Sequence, residues 1–171
     1  MSFLQPDYYF EHFREVTPDF LAALGVRALV LDLDNTIARY EDAEPSDEVL
    51  AWFAGLHEAG VRTAFVSNNK AARVELFNRK LAIPIFAASK KPFIRSMKEA
   101  MRVLESHREN TAVMGDQIFT DVLAGKWAGV RTILVSPLKD KTDCFTRLKR
   151  LFERPILAAY HKREEKKKHG K

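Results

Sequence analysis

Residues 30–40, VLDLDNTIARY, set Asp32, Asp34 and Thr36 at the end of an aliphatic run. Two acids two residues apart at the end of a buried strand are costly unless a cation joins them. Asp32, directly after Leu31, has the chemistry of a nucleophile on phosphorus, forming an aspartyl-phosphate that water then hydrolyses. An anion attacking an anionic phosphoryl group needs its charge screened. Mg²⁺ does this with hard oxygen ligands while bridging carboxylate and phosphate. Asp34 points the same way as Asp32 in extended backbone, which suits a general acid to the leaving alkoxide and then a general base to water.

Three later stretches carry complementary groups. GDQIFTD offers Asp116 as a second metal ligand, with Asp121 five residues on to hold a metal-bound water or orient the ligands. VSNN offers the Ser67 hydroxyl and the N–H groups after it, at a helix start, as a phosphate cradle, with Asn68 beside it. SKKPF offers Lys91 as the cation that faces the transferring group, with Lys90 the adjacent competitor. Some of these residues also have plain structural readings. An acid in a helix's first turn, like Asp121, favours the helix dipole anyway, and Asn68 or Asn69 is equally a helix cap.

The elements that must position these groups follow from hydrophobic periodicity. Strands are expected over 27–32, 61–66, 83–87, 111–114 and 130–135. Between them run helices begun by Ser46 or Asp47, by the residues after Asn69, by Phe93 and by about Phe119, with Gly60 and Gly129 as stops. Strands joined by helices of this length run parallel. The expected fold is therefore α/β, a three-layer Rossmann-like arrangement with a parallel sheet of about five strands. Ligands of such folds bind beyond the carboxyl ends of the strands, where Asp32, Ser67 and Asp116 all fall.

DLDNT resembles the DxDxT signature of the haloacid dehalogenase-like (HAD) superfamily phosphatases. VSNN resembles their second motif, KKP their lysine motif and GDQIFTD their fourth, all in the family's order over residues 30–121. The resemblance implies that Asp32 is nucleophile and metal ligand, and that Asp34 is acid/base and a ligand through its main-chain carbonyl. It further implies that Ser67 and Lys91 bind phosphate, and that Asp116 ligates Mg²⁺ with Asp121 in support. PDYYFEHFREVTPDFLAALGVRALVLDLDNT before the site and VSPLKDKTDCFTRLKRLFERPIL after the last strand resemble the small bacterial YqeG branch of subfamily IIIA. That branch is similar to the mitochondrial phosphatidylglycerophosphate phosphatases, which implies a phospholipid head-group substrate.

Between Thr36 and Ser67 lie 30 residues, and between Ser67 and Lys91 lie 23, each filled by an expected helix and strand. No room is left for a cap domain, so the rim is expected to be open, suiting a phosphate borne on something large or at a surface. Other readings are a phosphatase for a soluble sugar phosphate or a nucleic-acid end, or a non-catalytic ribosome- or RNA-associated phosphate-binding protein.

The chain has 171 residues, enough for one domain, expected over 1–160 with a basic, disordered tail over 161–171. The lone Cys144 rules out an internal disulfide or a multi-cysteine metal site and fits a reducing, cytoplasmic setting. The net charge of +5 is uneven: from Arg147 onward ten Lys/Arg face three Asp/Glu. This basic end reads as a tail with no specific partner, as a peripheral membrane contact on anionic lipid, or as a nonspecific RNA contact. Specific nucleic-acid binding is not expected. Tyr8, Tyr9, Phe10 and Phe13 read as core packing, and the five histidines as surface residues.

Overall fold

A computed structural model describes residues 4–139, 153, 155–163 and 165. Six parallel strands form one sheet: β1 (Tyr8–Phe10), β2 (Ala28–Leu31), β3 (Arg62–Val66), β4 (Ile85–Phe86), β5 (Thr111–Gly115) and β6 (Arg131–Val135). Their order is β1-β6-β5-β2-β3-β4. The helices are α1 (Pro18–Ala23), α2 (Asp47–Glu58), α3 (Ala71–Asn78), α4 (Arg95–Val103) and α5 (Leu123–Ala128).

Side chains of a strand alternate between faces, and here both faces are apolar. Leu29, Leu31, Phe65 and Met114 join Phe53 of α2 and Phe77 of α3 in one core. Val30, Ala64, Val66 and Val113 join Met97 of α4 and Ala128 of α5 in the other. That double burial makes the central strands read as continuous hydrophobic runs rather than alternating ones. Gly125 permits the close seat of α5, because a Cβ there would lie 2.4 Å from Val113 Cγ1 and 2.6 Å from Thr132 Cγ2.

Helix α2 starts where expected, with the Ser46 hydroxyl accepting from the Val49 N–H, and the chain leaves it through Gly60 at φ +77°. Helix α4 is shorter than expected: it begins at Arg95 and leaves Phe93 67% exposed. The expected sheet of about five strands gains a sixth, β1, at its edge, with Tyr8 opposite Ile133 of β6. Three half-buried residues carry too little periodicity to be recognised. The strand is anchored by Asp7, whose N–H donates to the Thr132 carbonyl and whose carboxylate accepts from Thr132 N–H and Oγ1 at 2.9 Å each. Phe13 is buried in the core, as the aromatic cluster suggested.

Residues 155–163 are helical, running past the expected tail boundary at 161. Tyr160 is buried, Ile156 and Leu157 pack beside Ile118, Val122 and Leu134, and Tyr9 meets His161 edge-on at 5.1 Å. Cys144, Leu151, Phe152 and the basic residues 166–171 lie outside the described residues. No helix among the described residues is long and apolar enough to cross a membrane.

Candidate active site

Strand β2 lies between β3 and β5, so the chain leaves it on one side and returns on the other. Crevices open at such reversal points of parallel sheets. Asp32 follows β2 directly, Ser67 follows β3, and Asp116 follows β5, so neighbouring strands deliver all three to one rim.

Oxygens of Asp32, Asp116 and Asp121 lie within 4.8 Å of one another. All three residues are buried, as is Lys91, whose Nζ donates to Asp32 Oδ1 at 2.6 Å and to Asp121 Oδ1 at 2.7 Å. Burial alone pushes the Lys91 ammonium down, but Asp121 and Asp32 outweigh it and hold it above the ordinary lysine range. Burial pushes the Asp121 carboxyl up against the pull of Lys91, with the charge of Asp32 adding to the rise. In this desolvated place the Lys91 ammonium bonds two of the three carboxylates, those of Asp32 and Asp121. Three carboxylates whose oxygens cluster this closely are hard donors that fit a divalent cation.

Asp121 sits in a π-helical turn, Ile118–Val122, of the kind that often marks functional positions. Its Oδ2 accepts from the Gln117 N–H at 3.1 Å and the Thr120 hydroxyl at 3.3 Å. Gly115 makes the space, since a Cβ there would lie 2.2 Å from Asp121 Cγ. The turn is held from outside by Glu153, whose carboxylate accepts the Ile118 N–H at 2.8 Å.

Asp34 stands apart from the carboxylate cluster. Its Oδ2 accepts from Asn69 Nδ2 at 2.8 Å and its Oδ1 lies 3.2 Å from Arg73 Nη2. The turn that presents it is closed by Asn35 at φ +65°, a conformation Asn tolerates, with the Asn35 N–H donating to the Ala38 carbonyl. Thr36 Oγ1 lies 3.5 Å from Asp32 Oδ2, at the long limit of a hydrogen bond.

The Ser67 hydroxyl is buried and accepts the Asn69 N–H at 3.1 Å, while the Lys70 N–H is taken by Asn69 Oδ1 at 2.7 Å. Two N–H groups expected to cradle phosphate are therefore engaged by side chains. Asn68 is engaged too. Its Oδ1 accepts from the Lys91 N–H at 2.6 Å and from the Ser89 hydroxyl at 2.9 Å, and its Nδ2 donates to the Lys91 carbonyl at 3.2 Å. Its visible work is to anchor the loop that delivers Lys91, where Ala88 and Lys90 adopt positive φ and the Lys91–Pro92 bond is cis. Lys90 is exposed, so of the two adjacent lysines it is Lys91 that faces the carboxylates.

Sequence reasoning missed Arg73, Asn69 as the partner of Asp34, and Tyr40, whose hydroxyl donates to Asn69 Oδ1 at 3.3 Å. The chain separates Asp34 from Arg73 by 39 positions, and only the pairing of β2 with β3 brings them together. A basic residue in the first turn of a helix gives no local hint of such a contact.

The fold and site define a Rossmann-like protein, a doubly covered parallel sheet whose reversal point gathers a lysine and three buried carboxylates. The family described as "HAD-hyrolase-like" matches residues 89–143. A "Probable phosphatase YqeG" from Bacillus subtilis (strain 168) is 35% identical over 158 residues, 92% of each chain. The "Ribonucleotide monophosphatase NagD" of Escherichia coli (strain K12) is 38% identical over 52 residues, 30% of this chain and 20% of that one. Among solved structures, the cobalt-bound deoxy-D-mannose-octulosonate 8-phosphate phosphatase of Haemophilus influenzae superposes with a TM-score of 0.54 at 16% identity, covering 65% of this chain and 68% of that one. CbbY from Rhodobacter sphaeroides in complex with phosphate gives 0.52 at 18% identity, covering 70% and 90%. The chain belongs to the YqeG family of HAD-superfamily phosphatases.

Proposed function

We propose that this phosphatase hydrolyses the phosphomonoester of phosphatidylglycerophosphate through an aspartyl-phosphate at Asp32, with Mg²⁺ bound. The observation that carries the chemistry is the buried cluster of Asp32, Asp116 and Asp121, with Lys91 bonded to Asp32 and Asp121. Mg²⁺, held by the carboxylates of Asp32 and Asp116 with Asp121 in support, would screen the anionic phosphate from the attacking carboxylate. Lys91 holds the Asp32 carboxylate in place and adds positive charge where the transferring group gains negative charge. The Ser67 hydroxyl, at the end of the adjacent strand, has a proton to donate to a phosphoryl oxygen. Asp34 moves protons, first to the leaving oxygen and then from the water that cleaves the intermediate.

The lipid assignment is motivated by the resemblance expected between the YqeG branch and phosphatidylglycerophosphate phosphatases, and by the open rim. Among the described residues, only α2 and β3 separate Thr36 from Ser67, and only α3 and β4 separate Ser67 from Lys91. The expected membrane contact through the basic C-terminal end draws less support. Tyr160, Ile156 and Leu157 pack against the protein's own edge rather than forming an outward apolar face. A cytoplasmic setting, with or without contact at a membrane surface, remains part of this reading.

The test is phosphate release from phosphatidylglycerophosphate in mixed micelles with Mg²⁺, beside a panel of soluble sugar phosphates and nucleotides. Release should be lost in Asp32→Asn protein and on chelation. Lipid turnover no greater than that of the Asp32→Asn protein would remove the lipid substrate. Faster turnover of a soluble ester would replace it.

A further inference from the structure

Arg73 is the mostly buried cation of the site that the chemistry above leaves without a task. Its side chain is 14% exposed and stacks over the Phe77 ring, 5.4 Å from the centroid. Nη2 donates to the Arg39 carbonyl at 3.0 Å and lies 3.2 Å from Asp34 Oδ1. Nε and Nη1 are buried and donate to nothing among the described residues. A guanidinium has five N–H donors, and buried donors without acceptors are rare enough to ask for a missing partner.

The location narrows what that partner is. A group that protonates the leaving oxygen stands about 3 Å from it. Arg73, 3.2 Å from Asp34, is then within roughly 6 Å of that oxygen, close enough to meet a group a few bonds along the leaving alcohol. The transferred phosphate already has Lys91 and Ser67. A planar guanidinium with free donors is matched by an oxyanion, which it holds bidentately.

We propose that Arg73 is a second anion subsite, which receives a carboxylate, phosphate or phosphodiester carried on the leaving alcohol a few bonds from the scissile ester. This rests on the phosphatase reading and adds to it the substrate class: phosphomonoesters whose alcohol bears its own negative charge. A lipid head-group diester and a soluble phospho-acid share this chemistry.

The experiment compares kcat and KM, with Mg²⁺, for glycerol 3-phosphate, which lacks a second anion, and three esters that have one. These are 3-phosphoglycerate, the deacylated head group of phosphatidylglycerophosphate, and the intact lipid in mixed micelles. Wild-type protein should favour second-anion esters in kcat/KM. Arg73→Gln should lower that preference by roughly ten- to hundredfold, chiefly through KM, the size expected for a charged hydrogen bond. Arg73→Lys should keep part of it. Preference for both head-group compounds assigns the anion to the lipid diester, and preference for 3-phosphoglycerate alone assigns it to a soluble acid.

Equal losses on all four esters would mean that Arg73 only positions Asp34, and would overturn the subsite. Thermal melts of both variants separate this from misfolding, and Arg73→Lys serves if the glutamine variant does not fold. Calorimetric binding of 3-phosphoglycerate and glycerol 3-phosphate to Asp32→Asn protein, with and without Arg73→Gln, reads the subsite without turnover. An Arg73-dependent preference there upholds the subsite even if no ester is hydrolysed. Hydrolysis of all esters alike, with no binding preference, leaves the phosphatase and removes the subsite.

Discussion

Lys91 Nζ donates to Asp32 at 2.6 Å and to Asp121 at 2.7 Å, so one buried ammonium ties the end of β2 to the turn after β5. Asp32 and Asp121 are both acids of a three-carboxylate cluster, and the lysine is the cation within hydrogen-bonding distance of them. Lys91→Met should therefore destabilise the metal-free protein by about 3–5 kcal/mol, the usual cost of stripping one partner from a buried pair. Urea unfolding measures this, and Mg²⁺ should recover part of the loss. Phosphatase activity should fall at least about a hundredfold, as for loss of a donor aimed at developing charge. An unchanged urea midpoint in metal-free buffer would show that Lys91 does not balance the cluster.

Gly115→Ala places a methyl group where Asp121 sits, 2.2 Å from its Cγ. The carboxylate must move, or the end of β5 must. The expected result is a smaller rise in melting temperature on adding Mg²⁺ and a roughly ten- to hundredfold loss of activity, the range typical of groups that orient metal ligands. Melts with and without Mg²⁺ check the first without relying on turnover.

Asn68→Ala removes the acceptor shared by the Lys91 N–H and the Ser89 hydroxyl. Ala88 and Lys90, at φ +47° and +55°, hold a conformation costing non-glycine residues about 1–3 kcal/mol, so the loop depends on such anchors. Activity should drop roughly tenfold, with a smaller drop for Ser89→Ala. The double variant should be little worse than Asn68→Ala alone, because both changes break one network. Fully additive losses in kcat/KM would instead place Asn68 on the substrate.

Asp7 governs a pH effect on stability rather than on catalysis. Burial pushes its carboxyl up, but hydrogen bonds from Lys126 and Thr132 outweigh that and hold it below its ordinary range. A carboxyl whose folded pKa is depressed adds stability above its unfolded pKa of about 3.9, lost as pH falls through the lower folded value. Asp7→Asn should lower the melting temperature by about 2–4 °C at neutral pH, as a change of ~1 kcal/mol does in a chain of this size. The gap should close below about pH 4. A gap independent of pH would mean that the charge of Asp7 does not hold β1 in place.

The central strands were legible because burial on both faces writes them as uninterrupted apolar runs, and the acids, serine and lysine were legible because each falls at the end of such a run or next to a helix start. Strand β1 was not, since a three-residue edge strand takes its stability from Asp7 and Thr132, 125 positions apart. The last turn of the helix over 155–163, His161–Arg163, carries no apolar residue to mark it, and His161 finds its ring contact with Tyr9 only on the folded edge.

Local sequence determined which residues could attack, ligate and carry charge, since DLDNT, VSNN, KKP and GDQIFTD each sit within one strand–helix junction. Tertiary structure decided how those groups spend their hydrogen bonds. It turned Asn68 toward the Lys91 loop and set Arg73 against Asp34. It also placed Asp121, beside Gly115, under Lys91. Such contacts join segments tens of residues apart, and their geometry depends on strand order and on which side chains already occupy the crevice. In VLDLDNTIARY the first acid is thereby bound to a lysine and the second to an arginine, a division that their shared spacing along the chain does not contain.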